Sequence, residues 1–243
     1  MSGLAAVAAV LRGARHVLIL TGSGVSAESG VPTFREAQTG LWERFDPRAL
    51  ATPEAFLSDP ALVWRWYRWR RELVRKAEPN PGHFALAALE RRLPRLTLVT
   101  QNVDGLHQRA GSRAVTEYHG NLFATRCFSC GESPAGAEPD DEMPRCSSCG
   151  GLLRPGVVWF GEPIPVTALQ AAARAAADCD LFLSIGTSSL VWPAAGLAEA
   201  ALAGGATVVE INLDATPLSG QSHHVLSGKS GDLLPELVNC LLV

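Results

Sequence analysis

Four cysteines in two closely spaced pairs are the clearest chemical signal in this chain of 243 residues. Cys127 and Cys130 form one Cys-x-x-Cys knuckle, and Cys146 and Cys149 form a second one after a 15-residue gap. Four thiolates at this spacing predict one structural zinc ion, whose closed shell leaves no position for water or substrate. Two disulfides, or buried thiols, are the alternatives. If zinc is bound here, the chemistry of the protein must lie elsewhere.

A glycine-rich turn follows the first apolar run of the sequence. Gly22, Gly24 and Ala27 have the spacing of a dinucleotide-binding turn, in which glycines admit a pyrophosphate next to a helix N-terminus. A tight turn without a ligand is the alternative. A nicotinamide dehydrogenase would place an acidic residue at the end of its second strand, about 20 residues on. The chain has Glu43 there, inside an aromatic helical segment, which disfavours the hydride-transfer layout.

Polar side chains follow two further apolar runs. Asn102 and Asp104 come after the run that ends at Thr100, where an open α/β sheet holds its ligands. His119 stands between the next run and Gly120, and a neutral imidazole at this place is able to act as a general base. Turn capping by Asn and Asp, and a capping or core role for the histidine, are the alternatives.

The elements that must position these residues alternate between strands and helices. Predicted strands are Val17–Leu20, Leu96–Val99, Val115–Tyr118, Leu181–Ile185, Val208–Ile211 and His224–Leu226. Predicted helices include Phe84–Arg92, Thr167–Ala177 and Ala194–Ala203. Apolar runs separated by helices indicate an α/β fold with a doubly wound, Rossmann-like parallel sheet.

Two segments interrupt this alternation. Residues 36–77 are aromatic and helical, and residues 121–154 contain the cysteine pairs. We expect these two segments to form a small inserted helical and zinc-binding lobe. Residues 1–35, 78–120 and 155–243 would then form the Rossmann-like domain that binds the dinucleotide.

Composition narrows the class of protein further. The chain is 47% hydrophobic and 19% charged, with a net charge of −3, so bulk electrostatics do not favour direct nucleic-acid binding. No apolar run is long enough to span a membrane. Paired cysteines without an export signal suit a reducing compartment, and we expect a cytoplasmic location.

Several motifs in one order resemble the sirtuins, which are NAD-dependent protein lysine deacylases. The resemblance covers nearly the whole chain and rests on the following segments: Thr21–Arg35, Thr100–His107, Tyr118–Gly120, the cysteine pairs, Arg154–Glu162, Gly186–Ser188 and Ile211–Asp214. The departures are small: Ser23 replaces the usual alanine, and Val25 and Val103 replace isoleucine.

The resemblance implies that NAD is consumed as a co-substrate and that His119 is the base that deprotonates a ribose hydroxyl. Asn102 and Asp104 would serve the nicotinamide pocket. The other implied NAD contacts are Gly22, Ser23, Gly24, Ala27, Phe34, Arg35, Gln101, Gly186, Thr187, Ser188, Asn212, Leu213, Asp214 and Ser230. The acylated peptide would lie between Val158–Glu162, where Val158, Phe160 and Gly161 would contact it, and Leu190–Trp192, although these segments could equally be ordinary core and edge structure.

A helix predicted after Asp59 carries two further candidates. Tyr67 and Arg70 are three residues apart, so they project together from the helix. The predicted apolar stripe of this helix consists of Leu62, Trp66, Trp69 and Leu73. A basic solvated face with a core tyrosine is the alternative, but Tyr-x-x-Arg here is similar to the sirtuin class that removes malonyl, succinyl and glutaryl groups. Arginine binds a carboxylate through two parallel hydrogen bonds.

These observations predict a protein-lysine deacylase that removes succinyl, malonyl or glutaryl groups and also acetyl groups, releasing nicotinamide and O-acyl-ADP-ribose. Its partners would be acylated lysine side chains of proteins. An enzyme that is mainly a deacetylase, a mono-ADP-ribosyltransferase and a zinc-ribbon binding module are the alternatives. The acidic residues between the knuckles argue against the last of these.

Overall fold

A computed structural model of the chain describes residues 3–32, 46–134 and 142–241. The strands are β1 Val17–Thr21, β2 Leu96–Thr100, β3 Val115–Glu117, β4 Gly120–Cys127, β5 Leu153–Val157, β6 Leu181–Ile185, β7 Thr207–Asn212 and β8 His224–Ser227. The helices are α1 Gly3–Gly13, α2 Ser23–Ala27, α3 Pro47–Leu50, α4 Pro53–Ser58, α5 Pro60–Lys76, α6 Pro81–Glu90, α7 Leu106–Arg109, α8 Val166–Asp178, α9 Gly196–Ala203 and α10 Ser230–Cys240.

The main sheet is parallel and has the strand order β3-β2-β1-β6-β7-β8. All six predicted strands belong to it, so the doubly wound α/β architecture is confirmed. β1 lies in the middle, between β2 and β6, and the strand order reverses there. A crevice at the carboxyl ends of the strands on either side of such a reversal is the usual ligand site of an open α/β sheet.

Both faces of the sheet are covered, which explains why β1 is buried along its whole length. On one face Val17 and Ile19 pack in a core built with α1, α6 and α10. On the other face Leu18 and Leu20 pack in a core built with α8 and α9. Because alternate residues of a strand point to opposite faces, a continuous apolar run is what a doubly covered strand requires.

A second, two-stranded antiparallel sheet is formed by β4 and β5. No strand was predicted in either place. Gly156 shows why these residues pair closely, since a Cβ there would lie 2.6 Å from the Cβ of Ala124 on the opposite strand. The core beside this sheet includes Phe56, Trp66 and Leu122. The proposed division of the chain into a Rossmann-like domain and an inserted lobe stays a prediction.

Helix α5 begins where the sequence predicted. The Asp59 carboxylate accepts a hydrogen bond from the Leu62 amide at 2.9 Å, and the helix ends at Lys76, before Ala77. The predicted apolar stripe was wrong in part, because Leu62, Trp69 and Leu73 are only half-buried. The buried side chains are instead Val63, Trp64, Trp66, Tyr67, Arg71 and Val74. Packing against both α4 and the two-stranded sheet buries a wider face than one stripe.

Helix α6 starts three residues earlier than predicted because Asn80 caps it. The Asn80 side chain accepts from the Gly82 and His83 amides, and His83 Nδ1 accepts from the Asn80 amide in return. This reciprocal arrangement satisfies donors that a helix N-terminus otherwise leaves unpaired. Among the described residues, no helix is both long and apolar enough to cross a membrane.

Two fully buried histidines lie behind the end of β1. The rings of His83 and His107 are 4.9 Å apart, and His107 Nε2 is 2.9 Å from the Thr21 hydroxyl. Burial lowers the pKa of His83 to about 4 and that of His107 to about 3, where the neighbouring His83 adds to the effect. Both rings are therefore neutral at pH 7, and protonating either one would place an uncompensated charge in the core.

This pair should make the fold sensitive to acid. In the unfolded chain a histidine titrates near ~6.5, above the folded values, so the pair's contribution to stability is complete above that pH. It is lost as the pH falls from about 6.5 towards 4, at ~1.4 kcal/mol per unit of pKa difference for each ring. Thermal unfolding of wild type and His83→Asn from pH 7 to 4.5 checks this. The variant should lose less stability over that range, and equal losses would contradict the assignment.

Candidate active site

The carboxyl edge of the sheet is built on a close approach of two glycine-containing loops. The Gly22 amide donates to the Ile185 carbonyl at 3.1 Å, and the Gly24 amide donates to the Gly186 carbonyl at 2.8 Å. A Cβ on Gly24 would lie 2.8 Å from both Cα and O of Gly186. These backbone contacts leave no room for a side chain. The glycines are thus needed to join the ends of β1 and β6, a role beyond the admission of a phosphate.

A buried serine links two of the predicted polar residues. Ser26 on α2 donates from its hydroxyl to Asp104 Oδ2 at 2.7 Å and accepts from Asn102 Nδ2 at 2.9 Å. Asn102 Nδ2 also lies 3.0 Å from the Gly22 carbonyl, to which it donates. Asn102, Asp104 and the glycine turn therefore form one hydrogen-bonded unit. The sequence analysis missed Ser26, although its place in the glycine-rich turn was a usable signal.

Asp104 lies in an unusual electrostatic setting. It is buried, which raises its pKa, while hydrogen bonds from the Leu106 amide and the Ser26 hydroxyl and the nearby Arg70 guanidinium act in the opposite direction. The net direction is upward. A carboxylate has about four acceptor positions, so these two bonds leave capacity for a further donor from a ligand.

A second chain of hydrogen bonds runs across the edge towards β7. Gln101 Nε2 donates to the Thr187 hydroxyl at 2.9 Å, and Asn212 Nδ2 donates to the Thr187 carbonyl at 2.8 Å. Gly186, just before Thr187, has a φ of +59°, which favours glycine. The ends of β2, β6 and β7 thus meet at Thr187.

His119 follows β3 and is half-buried at the same edge. Its Nδ1 lies 3.1 Å from the Gln101 carbonyl oxygen. Because a carbonyl only accepts, Nδ1 carries the proton and the neutral ring keeps its lone pair on Nε2. Burial lowers the pKa of His119, and the bond to Gln101 offsets this only in part. The ring is therefore a neutral base at pH 7, oriented by its other nitrogen.

The segment after β5 passes directly beside His119. The Val158 amide donates to the His119 carbonyl at 2.8 Å, and the Phe160 amide donates to the Ala51 carbonyl at 2.9 Å. Phe160 and Gly161 are exposed, whereas the preceding residue, Trp159, is buried. This part of the chain therefore offers an accessible surface close to the base.

Tyr67 contacts the buried tryptophan of that segment, and Arg70 lies one turn further along the same helix. Tyr67 is buried and its hydroxyl accepts a hydrogen bond from Trp159 Nε1 at 2.8 Å. The Arg70 guanidinium lies 5.2 Å from the centre of the Trp66 ring. Burial lowers the pKa of Arg70, opposed by its interactions with Tyr67 and Asp104. Arg70 is thus close enough to interact electrostatically with both the helix tyrosine and the Asp104 carboxylate.

The remaining predicted residues have mixed positions. Ser230 donates from its hydroxyl to the Glu28 carboxylate at 3.0 Å, so its side chain ties α10 to the glycine turn. Leu213 and Asp214 are exposed after β7, and Ser23 is exposed on α2. Ala27 and Ser188 are half-buried beside the two glycine-containing loops. Phe34 and Arg35 lie outside the described residues.

The four cysteines converge as the spacing predicted. All four Sγ atoms lie within 4.8 Å of one another, with Cys127 and Cys149 at 3.4 Å and Cys130 and Cys146 at 3.9 Å. A tetrahedral zinc with Zn–S bonds of about 2.3 Å needs sulfurs about 3.8 Å apart. Each knuckle is followed by a glycine in the left-handed region, Gly131 at φ +75° and Gly150 at φ +73°. The four sulfurs therefore have the spacing that a tetrahedral zinc ion requires.

Comparison with known proteins agrees with this geometry. A model of the Sir2 family matches residues 22–193. The chain belongs to the Sir2 family. It is 53% identical over 242 residues to NAD-dependent protein deacylase 1 of Pseudomonas aeruginosa, covering 96% of this chain and 97% of that protein. It is also 53% identical over 243 residues to the NAD-dependent protein deacylase of Methylococcus capsulatus, covering 96% and 95%.

Solved structures of the family support the same placement. The crystal structure of a Sir2 homologue in complex with NAD has a TM-score of 0.92 against this chain, at 46% identity, and the match covers 98% of this chain and 93% of that one. The predicted fold is thereby confirmed for this sirtuin, family membership supports NAD as its co-substrate, and the four-cysteine cluster could hold the predicted structural zinc. The roles of individual residues remain predictions that rest on the geometry above.

The residues at the carboxyl edge of the main sheet have the chemistry needed to bind NAD. Gly22, Gly24 and Gly186 leave the backbone at the ends of β1 and β6 without side chains. Gln101 and Asn212 offer polar groups there, and Asp104 retains acceptor capacity in a buried position. We expect the phosphates near the start of α2, the riboses near Gln101 and Asn212, and nicotinamide near Asn102 and Asp104.

Replacement of His119 tests the proposed base of this sirtuin. His119→Ala should lower kcat/KM for an acyl-peptide at least ~10²-fold, the low end for loss of a general base, with the zinc content unchanged. In the wild type, kcat/KM should fall only below pH 6.5, because burial lowers the pKa of His119 and only the neutral ring accepts a proton. His224→Ala, outside the edge on β8, is the matched control. Turnover within a few-fold of wild type in folded His119→Ala would remove this residue from the mechanism.

Proposed function

We propose that this enzyme removes acidic acyl groups, succinyl, malonyl and glutaryl, from lysine side chains of proteins, and acetyl groups less efficiently. The broader activity, NAD-dependent protein deacylation, follows from membership of the Sir2 family and from relatives at 53% identity that bear this name. The same membership favours the enzyme over a zinc-ribbon binding module. The products would be the free lysine, nicotinamide and O-acyl-ADP-ribose.

Different residues at the carboxyl edge of the sheet would carry out different parts of the reaction. When bound, NAD supplies a labile bond between its ribose and a neutral leaving group, nicotinamide. Asn102 and Asp104, held by Ser26, are placed to bind the nicotinamide amide and to orient it. His119 Nε2 is placed to take a proton from a ribose hydroxyl, so that the hydroxyl oxygen becomes the nucleophile for the acyl carbon.

The peptide would lie along residues 158–161. An extended peptide would lie beside the exposed residues Phe160 and Gly161, and binding through the peptide's backbone would depend little on its sequence. The hydrogen bond between the Val158 amide and the His119 carbonyl fixes this segment next to the base. An acyl-lysine entering from it would reach the base and the side chains of α5.

The observation that carries the acidic preference is the pairing of Tyr67 with Arg70 beside that segment. Arg70 presents a guanidinium within an apolar and aromatic surrounding, where an uncompensated acyl carboxylate would be strongly disfavoured. Arginine and carboxylate form two parallel hydrogen bonds, and the tyrosine hydroxyl adds a third. An acetyl group makes none of these contacts, so it should be the poorer substrate.

A cytoplasmic location stays a prediction.

Arg70→Met tests the acyl preference directly. The kcat/KM for a succinyl-lysine peptide should fall by ~2–5 kcal/mol in transition-state terms, the range for removing one side of a buried charge pair. Deacetylation of the same peptide sequence should change much less. Arg68→Met is the matched control, because Arg68 lies on the same helix and packs on Trp64 at 5.4 Å.

The ratio of succinyl to acetyl activity is the quantity to measure. A fall of both activities by the same factor would assign Arg70 to the stability of the lobe. A wild-type enzyme that prefers acetyl over succinyl, malonyl and glutaryl peptides would overturn the proposed preference, while the deacylase activity would stand.

A further inference from the structure

Trp159 has a role that depends on the proposed preference for acidic acyl groups. Trp159 lies within the peptide segment, but its ring points away from the exposed surface and is 2% exposed. Its Nε1 donates to the Tyr67 hydroxyl at 2.8 Å, across 92 residues of sequence. An indole N–H is a donor only, so this bond can run in one direction alone.

We propose that Trp159 is a specificity-determining positioning residue, which orients the Tyr67 hydroxyl so that its proton is donated to the acyl carboxylate. A tyrosine hydroxyl has one proton, and it rotates to suit its partners. Because the oxygen already accepts from Trp159, the hydroxyl's own proton must turn towards a different acceptor. No described residue accepts that proton, and the Arg70 guanidinium on the same helix is a cation, so an acyl carboxylate fits as the acceptor.

Two side chains pack against the indole, and a hydrogen bond anchors the backbone of the same residue. The Arg154 guanidinium stacks on its face, with Cζ 3.2 Å from the ring centre, and the Phe56 ring lies 5.3 Å away. The Trp159 amide donates to Glu162 Oε2 at 2.8 Å. Glu162 in turn forms a bidentate ion pair with Arg154. The donor therefore keeps a fixed direction, which a freely rotating group would not.

The charge state of Tyr67 suits a donor. Burial raises its pKa to about 12, even though the nearby Arg70 guanidinium acts in the opposite direction. The hydroxyl thus keeps its proton throughout the neutral range. A hydroxyl held in one orientation before the substrate arrives loses less freedom on binding, which favours the acyl groups that use it.

Trp159→Phe removes the N–H and keeps an aromatic ring. For the succinyl-lysine peptide, kcat/KM should fall about three- to tenfold, the effect of one hydrogen bond, mainly through a higher KM. For the acetyl-lysine peptide the fall should be smaller, so the ratio of succinyl to acetyl activity should drop. Trp64→Phe is the matched control, because Trp64 Nε1 also donates a buried hydrogen bond, at 2.9 Å to the Leu153 carbonyl, away from the tyrosine. This control should leave the ratio of succinyl to acetyl activity as in wild type.

A double-mutant cycle with Tyr67→Phe separates positioning from support of the fold. If Trp159 acts through the tyrosine hydroxyl, the double variant should lose no more succinyl activity than Tyr67→Phe alone. Additive losses, or equal falls for both peptides in Trp159→Phe, would overturn the proposal. If the wild type prefers the succinyl peptide but Trp159→Phe leaves the ratio of succinyl to acetyl activity unchanged, the role of Trp159 is overturned and the acidic preference stands. A wild type that prefers acetyl would overturn both.

Discussion

The close contact between the backbones at the ends of β1 and β6 is the constraint on which the active site depends. Gly24 touches Gly186 so closely that a methyl group would meet backbone atoms at 2.8 Å. This contact places α2 directly above the reversal of strand order, and Ser26 on α2 then reaches the residues that follow β2. Without it, the polar groups of three separate strands would not form one surface.

The segment after β5 joins helix α5 to this edge of the sheet. Val158 bonds to the backbone of the proposed base, and Trp159 bonds to Tyr67 on α5. The ion pair between Arg154 and Glu162 holds the two ends of this segment together. Burial alone would raise the pKa of Glu162. The hydrogen bond from Arg154, with further contacts, instead lowers that pKa below its usual range. The side chains proposed for acyl recognition and the proposed base are in this way linked through a few residues of one segment.

Features that depend on neighbouring residues in the sequence could be predicted from local patterns. Continuous apolar runs marked the strands of the parallel sheet, Asp59 before Pro60 marked the start of α5, and the cysteine spacing marked the metal site. Contacts between distant segments escaped prediction. Ser26 looks like any turn serine until β2 brings Asp104 to it, and nothing near Trp159 in the sequence reveals a bond to Tyr67. The strand β5 was missed because Pro155 and Gly156 interrupt it, and β4 was missed because its burial does not alternate and its pairing register shifts between Gly120 and Thr125.

Calorimetric titration of NAD into Gly24→Ala tests the central claim most directly, with Gly13→Ala as the control, since a Cβ on Gly13 at the end of α1 would meet nothing within 4 Å. Circular dichroism would confirm that both variants are folded. If the contact between the ends of β1 and β6 builds the NAD site, Gly24→Ala should bind NAD at least tenfold more weakly while Gly13→Ala matches wild type. Equal NAD affinity in wild type and folded Gly24→Ala would contradict the account.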